Sequence, residues 1–293
     1  MNMKVLVTGA TGYIGSAVAG ALAKAGHQVK GLARSDDAKR KLESLGIQPV
    51  RGDLTDAAGL SSLVQDFEAI VWTATSNSEA VDAPAVAAVL DKMAGTGKTF
   101  LYTSGVWVHG GTRGGVADED SPLNAAELVA WRPAVEKRVL ATQGIRGIII
   151  RPGIVYGRAG GIPGMLGASA REGGAARFVG TGENHWPVVF IDDLADLYVR
   201  AVERASAGTT LLAVQGPSFK VKEIAAAASE GAGAGGKTVA WPLEEARTQF
   251  GAFADALALD QKFSARRAEQ TLGWAPRGPS IIEELRSGSY ARR

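Results

Sequence analysis

The feature that most constrains the fold lies at the start of the chain. Met3-Lys4-Val5-Leu6-Val7-Thr8 is a short apolar run with strand character, and it passes straight into Gly9-Ala10-Thr11-Gly12-Tyr13-Ile14-Gly15. An Ala-rich helical stretch follows. Glycine at every third position lets the backbone turn sharply and come close to a bound group. The helix beyond the turn offers unpaired N–H groups and partial positive charge at its N-terminus. Together these make a seat for the pyrophosphate of a dinucleotide. Gly9, Thr11, Gly12, Tyr13, Ile14 and Gly15 are the candidate contacts. A turn of this kind can also serve only to pack helix against strand; its spacing and its place between the two favour the nucleotide.

At 293 residues, with 46% hydrophobic residues, the chain can build one large domain or two modest lobes. A formal net charge of +2 gives no reason to expect nucleic acid or a membrane surface as partner. The absence of Cys excludes disulfides, thiolate catalysis and Cys-based metal sites. His27, His109 and His185 are scattered and form no zinc motif, so no metal is expected. The first strand begins without a basic segment or a long apolar run before it, which leads us to expect a soluble, cytoplasmic protein.

Strand and helix patterns alternate through the first half. Gln28–Ala33, Ile47–Arg51, Ala69–Thr73, Thr99–Thr103 and Arg146–Arg151 read as strands, with Pro84–Met93 and Ala134–Thr142 the clearest helices. This alternation predicts an α/β, Rossmann-type doubly wound parallel sheet. Ligands on such sheets sit outside the carboxyl ends of the strands. The pattern loosens after Tyr156. Arg158–Gly182 is rich in Gly and small residues and reads as a long loop, either a substrate lid or a surface segment. Pro187–Ile191 and Asp192–Arg204 resume as strand and helix, with Asp192 or Asp193 as N-cap. A dinucleotide-binding domain over 1–155, joined by 188–206, and a smaller substrate lobe over most of 156–293 are expected.

Thr8-Gly9-x-x-Gly12-x-x-Gly15 resembles the signature of extended short-chain dehydrogenase/reductases, the epimerase/dehydratase-like group. Gly52-Asp53-Leu54 is similar to that family's adenine-side motif, and Arg151-Pro152-Gly153-Ile154-Val155-Tyr156-Gly157 to its segment beside the nicotinamide. Ile191-Asp192-Asp193-Leu194-Ala195 and Leu272-Gly273-Trp274-Ala275-Pro276 resemble later family motifs in the right order. The resemblance implies a nicotinamide cofactor and a substrate lobe, and it adds Asp53, Leu54, Thr73, Ala74, Thr75 and Pro152 as cofactor contacts.

The family's usual proton relay is a Tyr with a Lys four residues later. None of Tyr13, Tyr102, Tyr156, Tyr198 and Tyr290 has that partner. In the register set by Glu136, Leu128 stands at the Tyr position and Arg132 at the Lys position. In Thr103-Ser104-Gly105-Val106-Trp107-Val108-His109-Gly110, Gly105 occupies the usual Ser/Thr position and His109 that of a Tyr. The chain thus resembles an atypical member: cofactor site kept, standard relay lost.

The candidate catalytic residues that remain are His109, Tyr156, Arg132 and Ser104. His109 titrates near neutral pH and follows a strand end. Tyr156 would need a lowered pKa. Arg132 can polarise or anchor an oxygen but does not release its proton, and Ser104 can orient the substrate. Each also has a purely structural reading: His109 as a turn residue, Tyr156 as a packed ring, Leu128, Trp131 and Val135 as the buried stripe of one helix.

The second strand ends in Arg34-Ser35, where an acidic residue would favour NAD. A guanidinium and a hydroxyl suit a 2′-phosphate, so NADP(H) is the expected cofactor, with NAD(H) as the alternative. Three functions follow: an oxidoreductase acting on a small organic carbonyl with a non-standard proton donor, a nucleotide-sugar epimerase or dehydratase, or a non-catalytic redox-sensing regulator. The expected partner is a small-molecule substrate, with Asn184, His185 and Trp186 as candidate lobe contacts. A homodimer through the helices around Pro84–Met93 and Ala134–Thr142 is a further expectation.

Overall fold

Runs as apolar as Val5-Leu6-Val7 and Ile148-Ile149-Ile150 are stable in a sheet that helices cover on both faces, and all six side chains are fully buried. The computed structural model describes residues 2–291. The first half runs β1 (Lys4–Thr8), α1 (Tyr13–Lys24), β2 (Gln28–Ala33), α2 (Asp36–Ser44), β3 (Gln48–Arg51), α3 (Ala57–Leu63), β4 (Ala69–Trp72), α4 (Glu79–Met93), β5 (Thr99–Thr103), α5 (Arg132–Ala141) and β6 (Arg146–Pro152). The chain continues through β7 (Ile154–Tyr156), α6 (Gly161–Gly173), β8 (Ala176–Val179), β9 (His185–Trp186), β10 (Val188–Phe190), α7 (Ile191–Arg204) and β11 (Thr209–Ala213). It ends with β12 (Phe219–Lys220), α8 (Val221–Gly231), β13 (Thr238–Trp241), α9 (Leu243–Phe250), α10 (Ala252–Ala258), α11 (Arg266–Leu272) and α12 (Ile281–Ser287).

The main sheet is parallel, in the order β11-β6-β5-β4-β1-β2-β3. Strand order reverses between β1 and β4, so the crevice lies above their carboxyl ends. One face is covered by α1 and α7, which pack on each other, and the other by α3, α4 and α5. Gly153 ends the main-sheet run: a Cβ there would lie 2.5 Å from the Pro187 carbonyl oxygen, so only glycine lets the chain pass. It then pairs β7 with β10 instead.

The C-terminal part divides between two cores. Phe263, Ala268, Leu272 and Trp274 pack with α1 and α7, whereas α6, α8, α9, α10 and α12 enclose a separate core around Tyr156, Phe178, Trp186 and Leu285. No helix among the described residues is long and apolar enough to cross a membrane.

Several sequence expectations shift. The expected loop Arg158–Gly182 contains α6 and β8. Its glycines hide an apolar row at Ile162, Leu166 and Ala170, four residues apart on one helix face. α4 begins at Glu79, not Pro84; the proline sits inside it and forgoes a single backbone bond. Phe190, not an aspartate, is the N-cap of α7. Asp193 turns outward from the helix to accept from the amides of Arg277 and Gly278, at 3.0 and 2.8 Å.

Candidate active site

The glycine turn leaves no room for side chains. Gly9 has φ +70°, and a Cβ on it would lie 2.8 Å from the Ala74 nitrogen. A Cβ on Gly15 would lie 2.2 Å from the Gly9 oxygen and 2.5 Å from Thr73 Oγ1. Two further bonds hold the ends of β1 and β4 together. Thr73 Oγ1 donates to the Thr8 oxygen at 2.5 Å, and the Ala74 amide donates to Thr8 Oγ1 at 3.3 Å. Gly12 caps α1 without a side-chain bond, and the first helical bond runs from Ser16 to Gly12. The amides of Tyr13, Ile14 and Gly15 therefore have no helical acceptor and suit an anion. Thr11 lies half-buried in the same turn.

Beside this turn, Thr75, Ser76 and the start of α4 converge on Asp82, which is 2% exposed. Its carboxylate accepts from Thr75 Oγ1, the Ser76 amide and Ser76 Oγ at 2.7, 2.8 and 2.7 Å, fixing the loop after β4. Sequence reasoning missed Asp82; a lone acid on an otherwise Ala- and Val-rich helix face was the available signal.

At the far end of β2 and β3, Arg34 is exposed and makes no ion pair among the described residues. Ser35 caps α2, its Oγ accepting from the Ala38 amide at 3.2 Å, which leaves its own proton free. Asp36 faces Arg51 at 3.4 Å. Asp53 Oδ1 accepts from the Thr55 amide and hydroxyl at 2.9 and 2.8 Å, and these bonds hold its carboxyl below the usual range. Leu54 is half-buried next to it.

The carboxyl ends of β5 and β6 open onto a cavity of about 220 Å³ lined by Tyr13, Ile14, Ser104, Gly105, Trp107, Arg132 and Pro152, among others. Arg132, the first residue of α5, donates from Nη1 to the Ser104 carbonyl oxygen at 3.1 Å. Ser104 Oγ and Arg132 Nε are both buried without a hydrogen-bond partner. Unpaired buried polar atoms are costly in a folded protein, and the two residues that carry these line one cavity, which makes them candidates to meet a polar ligand group. The Tyr13 ring seats the segment at Gly160 and Gly161, and its hydroxyl donates to the Gly157 oxygen at 2.7 Å.

A model of the NAD dependent epimerase/dehydratase family matches residues 5–213. The chain belongs to that family. An uncharacterized protein of Schizosaccharomyces pombe is 31% identical over 98% of this chain and 100% of its own length. A 2-alkyl-3-oxoalkanoate reductase of Stenotrophomonas maltophilia is 28% identical, over 70% of this chain and 67% of its own. Among solved structures, UDP-glucose 4-epimerase of Thermus thermophilus in complex with NAD superposes with a TM-score of 0.82 at 20% identity, covering 98% of this chain and 99% of that one. The seven-stranded sheet is that of a Rossmann-type nucleotide-binding protein, as the motifs implied.

Within this epimerase/dehydratase-family fold, the catalytic candidates part company. Ser104 and Arg132 share the cavity with the glycine turn; His109 and Tyr156 do not line it. His109 is 4% exposed, and its Nε2 lies 3.0 Å from Arg151 Nη1. Because arginine is always the donor, Nε2 accepts and the ring is neutral. Burial, then the Arg151 charge, pushes its pKa down to about 4. Arg151 in turn is held by Glu136, with Nε donating at 3.1 Å and Nη2 at 2.5 Å. A proton donor at neutral pH does not fit this placement. Tyr156 is fully buried in the lobe core, donating to the Pro279 oxygen at 2.6 Å and accepting from Gln215 at 3.0 Å, and burial raises its pKa further.

The other expectations shift in smaller ways. Leu128 lies in a separate 3-10 turn, Glu127–Val129, so it shares no helical stripe with Val135. Asn184, His185 and Trp186 fasten the lobe: Asn184 donates to Leu257 and Leu259, His185 pairs with Asp260 at 2.8 Å, and Trp186 Nε1 donates to the Leu257 oxygen at 3.0 Å.

Proposed function

We propose that the protein is an NADP(H)-dependent oxidoreductase acting on a small organic carbonyl, with Ser104 and Arg132 in place of a Tyr–Lys relay. The observation that carries this reading is the pair of buried, unpartnered polar atoms, Ser104 Oγ and Arg132 Nε, on two residues that line the cavity beside Tyr13 and Ile14 of the glycine turn. The reductase named among the relatives is consistent with it.

The reduced nicotinamide, when bound, supplies the hydride and its electron pair to the carbonyl carbon. Gly9, Gly12 and Gly15 leave the space for its pyrophosphate, and the first amides of α1 bind it. Arg132 holds a permanent positive charge beside the oxygen that becomes anionic, and Ser104 donates a hydrogen bond to it. Neither gives up a proton for good, so water entering the crevice protonates the alkoxide. Arg34 and Ser35 favour a 2′-phosphate, because Asp36 faces Arg51 and, although the Asp53 carboxylate feels the Arg34 charge, Arg34 makes no ion pair within 4 Å among the described residues.

A fluorescence titration with NADPH and NADH, followed by a carbonyl screen at saturating cofactor, tests the reading. NADPH should bind at least about tenfold more tightly, the scale of one charge-assisted contact, and Arg34→Ala should erase that margin. Equal affinities would overturn the cofactor assignment. Conversion of UDP-glucose without net cofactor consumption, or no turnover of any carbonyl, would overturn the reductase.

A further inference from the structure

The lobe holds a second cavity, of about 360 Å³, walled by α6, β8, β9, β13, α9 and α10. Its lining is dominated by Leu166, Phe178, Trp186, Trp241, Phe250 and Leu257. It neighbours the crevice, and Ile162 lines both. A file of aromatic contacts runs from Trp107 of the crevice to Phe250 and Trp241 of the lobe cavity. Trp107 at the crevice meets Phe253 at 5.9 Å, Phe253 meets Phe250 at 6.0 Å, and Phe250 meets Trp241 at 5.4 Å.

The polar lining is Ser169, Glu172, Arg177 and Gln249, and part of it is spent: Ser169 Oγ donates to the Leu166 oxygen and accepts from the Arg177 amide. Trp186 Nε1 is bonded to the Leu257 oxygen, so the indole presents an apolar face. The charged lining residues are one of each sign, Glu172 and Arg177, and the Arg177 guanidinium rests on the Trp241 ring, 4.9 Å from its centroid. A nucleoside diphosphate brings about two negative charges and needs several donors. One arginine, offset by a carboxylate, and the single amide of Gln249 do not meet that need. An apolar chain or an aryl ring matches the walls and gains by leaving water.

We propose that the substrate is a carbonyl compound with an apolar tail, its oxygen at Ser104 and Arg132 and its alkyl or aryl tail in the lobe cavity. This rests on the oxidoreductase reading and names its substrate class: alkyl or aryl-alkyl ketones rather than nucleotide sugars.

Kinetics at saturating NADPH with acetone, methyl hexyl ketone, benzylacetone and UDP-glucose test it. Each buried methylene is worth about fourfold in kcat/KM, so methyl hexyl ketone should exceed acetone by about a hundredfold or more. Ala168→Phe, which fills the lobe cavity from α6, should bring that ratio down toward one. Calorimetric titration of the NADP+-loaded protein with benzylacetone separates the two readings. Benzylacetone binding that Ala168→Phe abolishes, with no ketone turned over, would sustain the tail site while the reductase fails. Rates indifferent to tail length, a ratio unmoved by Ala168→Phe, or UDP-glucose as the preferred substrate would overturn the tail site.

Discussion

Arg132 Nη1 donates to the Ser104 carbonyl oxygen at 3.1 Å, tying the first residue of α5 to the end of β5 across the floor of the crevice. The contact uses one arm of the guanidinium and leaves Nε buried and unpaired. Arg132 thus braces the segment after β5 and brings a fixed positive charge to the lining of the crevice.

That double role gives Arg132 a distinctive mutational signature. Arg132→Met should lower kcat for carbonyl reduction by about a hundredfold or more, the scale of losing one preorganised electrostatic contact. NADPH affinity, read by fluorescence titration, should change little. Arg132→Lys keeps the charge but not the planar fork, and it should recover only part of the rate. A Lys variant with full activity would show that charge alone suffices and that the bond to Ser104 is incidental.

Gly105 supplies a second test. A Cβ there would meet only Arg132 Nη1 at 3.5 Å and the Pro152 oxygen at 3.9 Å, which are ordinary contacts, and its backbone is extended at φ 173°. Gly105→Ser should therefore fold normally, with a Tm within about 2 °C of the parent by calorimetry. The new hydroxyl enters the cavity beside Arg132. A large loss of stability would mean that the crevice is tighter than these distances allow.

His109 makes a prediction about pH rather than rate. In the fold its pKa is depressed to about 4 from 6.5, by burial and by Arg151. Between those values the unfolded chain binds more protons than the folded one. Stability is therefore fully present above about pH 6.5 and is lost as pH falls through 4, by on the order of 3 kcal/mol. His109→Gln keeps an acceptor for Arg151 and removes the titration. Urea denaturation at pH 7 and pH 5 should show a steeper loss for the parent than for the variant. Identical pH slopes would remove His109 from the acid sensitivity.

The glycine turn and the strands β1, β2, β5 and β6 were legible in the sequence because their signals are local: glycine spacing, and apolar runs bounded by breakers. Ser104 and Arg132 could be nominated, since both flank family motifs. What the sequence could not express was long-range pairing. His109 is neutralised by Arg151, 42 residues away, and Tyr156 is anchored by Pro279, 123 residues away. α6 was hidden for a different reason: its Gly and Ala content mimics a loop until Ile162, Leu166 and Ala170 find a core to bury against. The lobe cavity depends on the meeting of six elements and has no sequence signature at all.

Asp82 makes the last prediction. It touches no part of the glycine turn directly, yet its carboxylate gathers the Thr75 hydroxyl and both Ser76 donors, and so sets the wall of the crevice after β4. Asp82→Asn replaces one charged acceptor oxygen with an amide donor, so that the Thr75 hydroxyl must accept where it now donates. A buried charge-assisted bond of this kind is worth about 1.5–3 kcal/mol. Part of that loss should appear as a lower Tm. Part should appear as a roughly tenfold weaker NADPH dissociation constant, because the loop must be reordered each time the cofactor binds. Asp82→Ala, which removes both acceptor oxygens and strands the Thr75 and Ser76 donors, should weaken binding more than Asn, whose remaining oxygen still accepts from Ser76. If the two variants bind NADPH as tightly as the parent while losing stability, Asp82 is a structural anchor and the loop after β4 does not contact the cofactor.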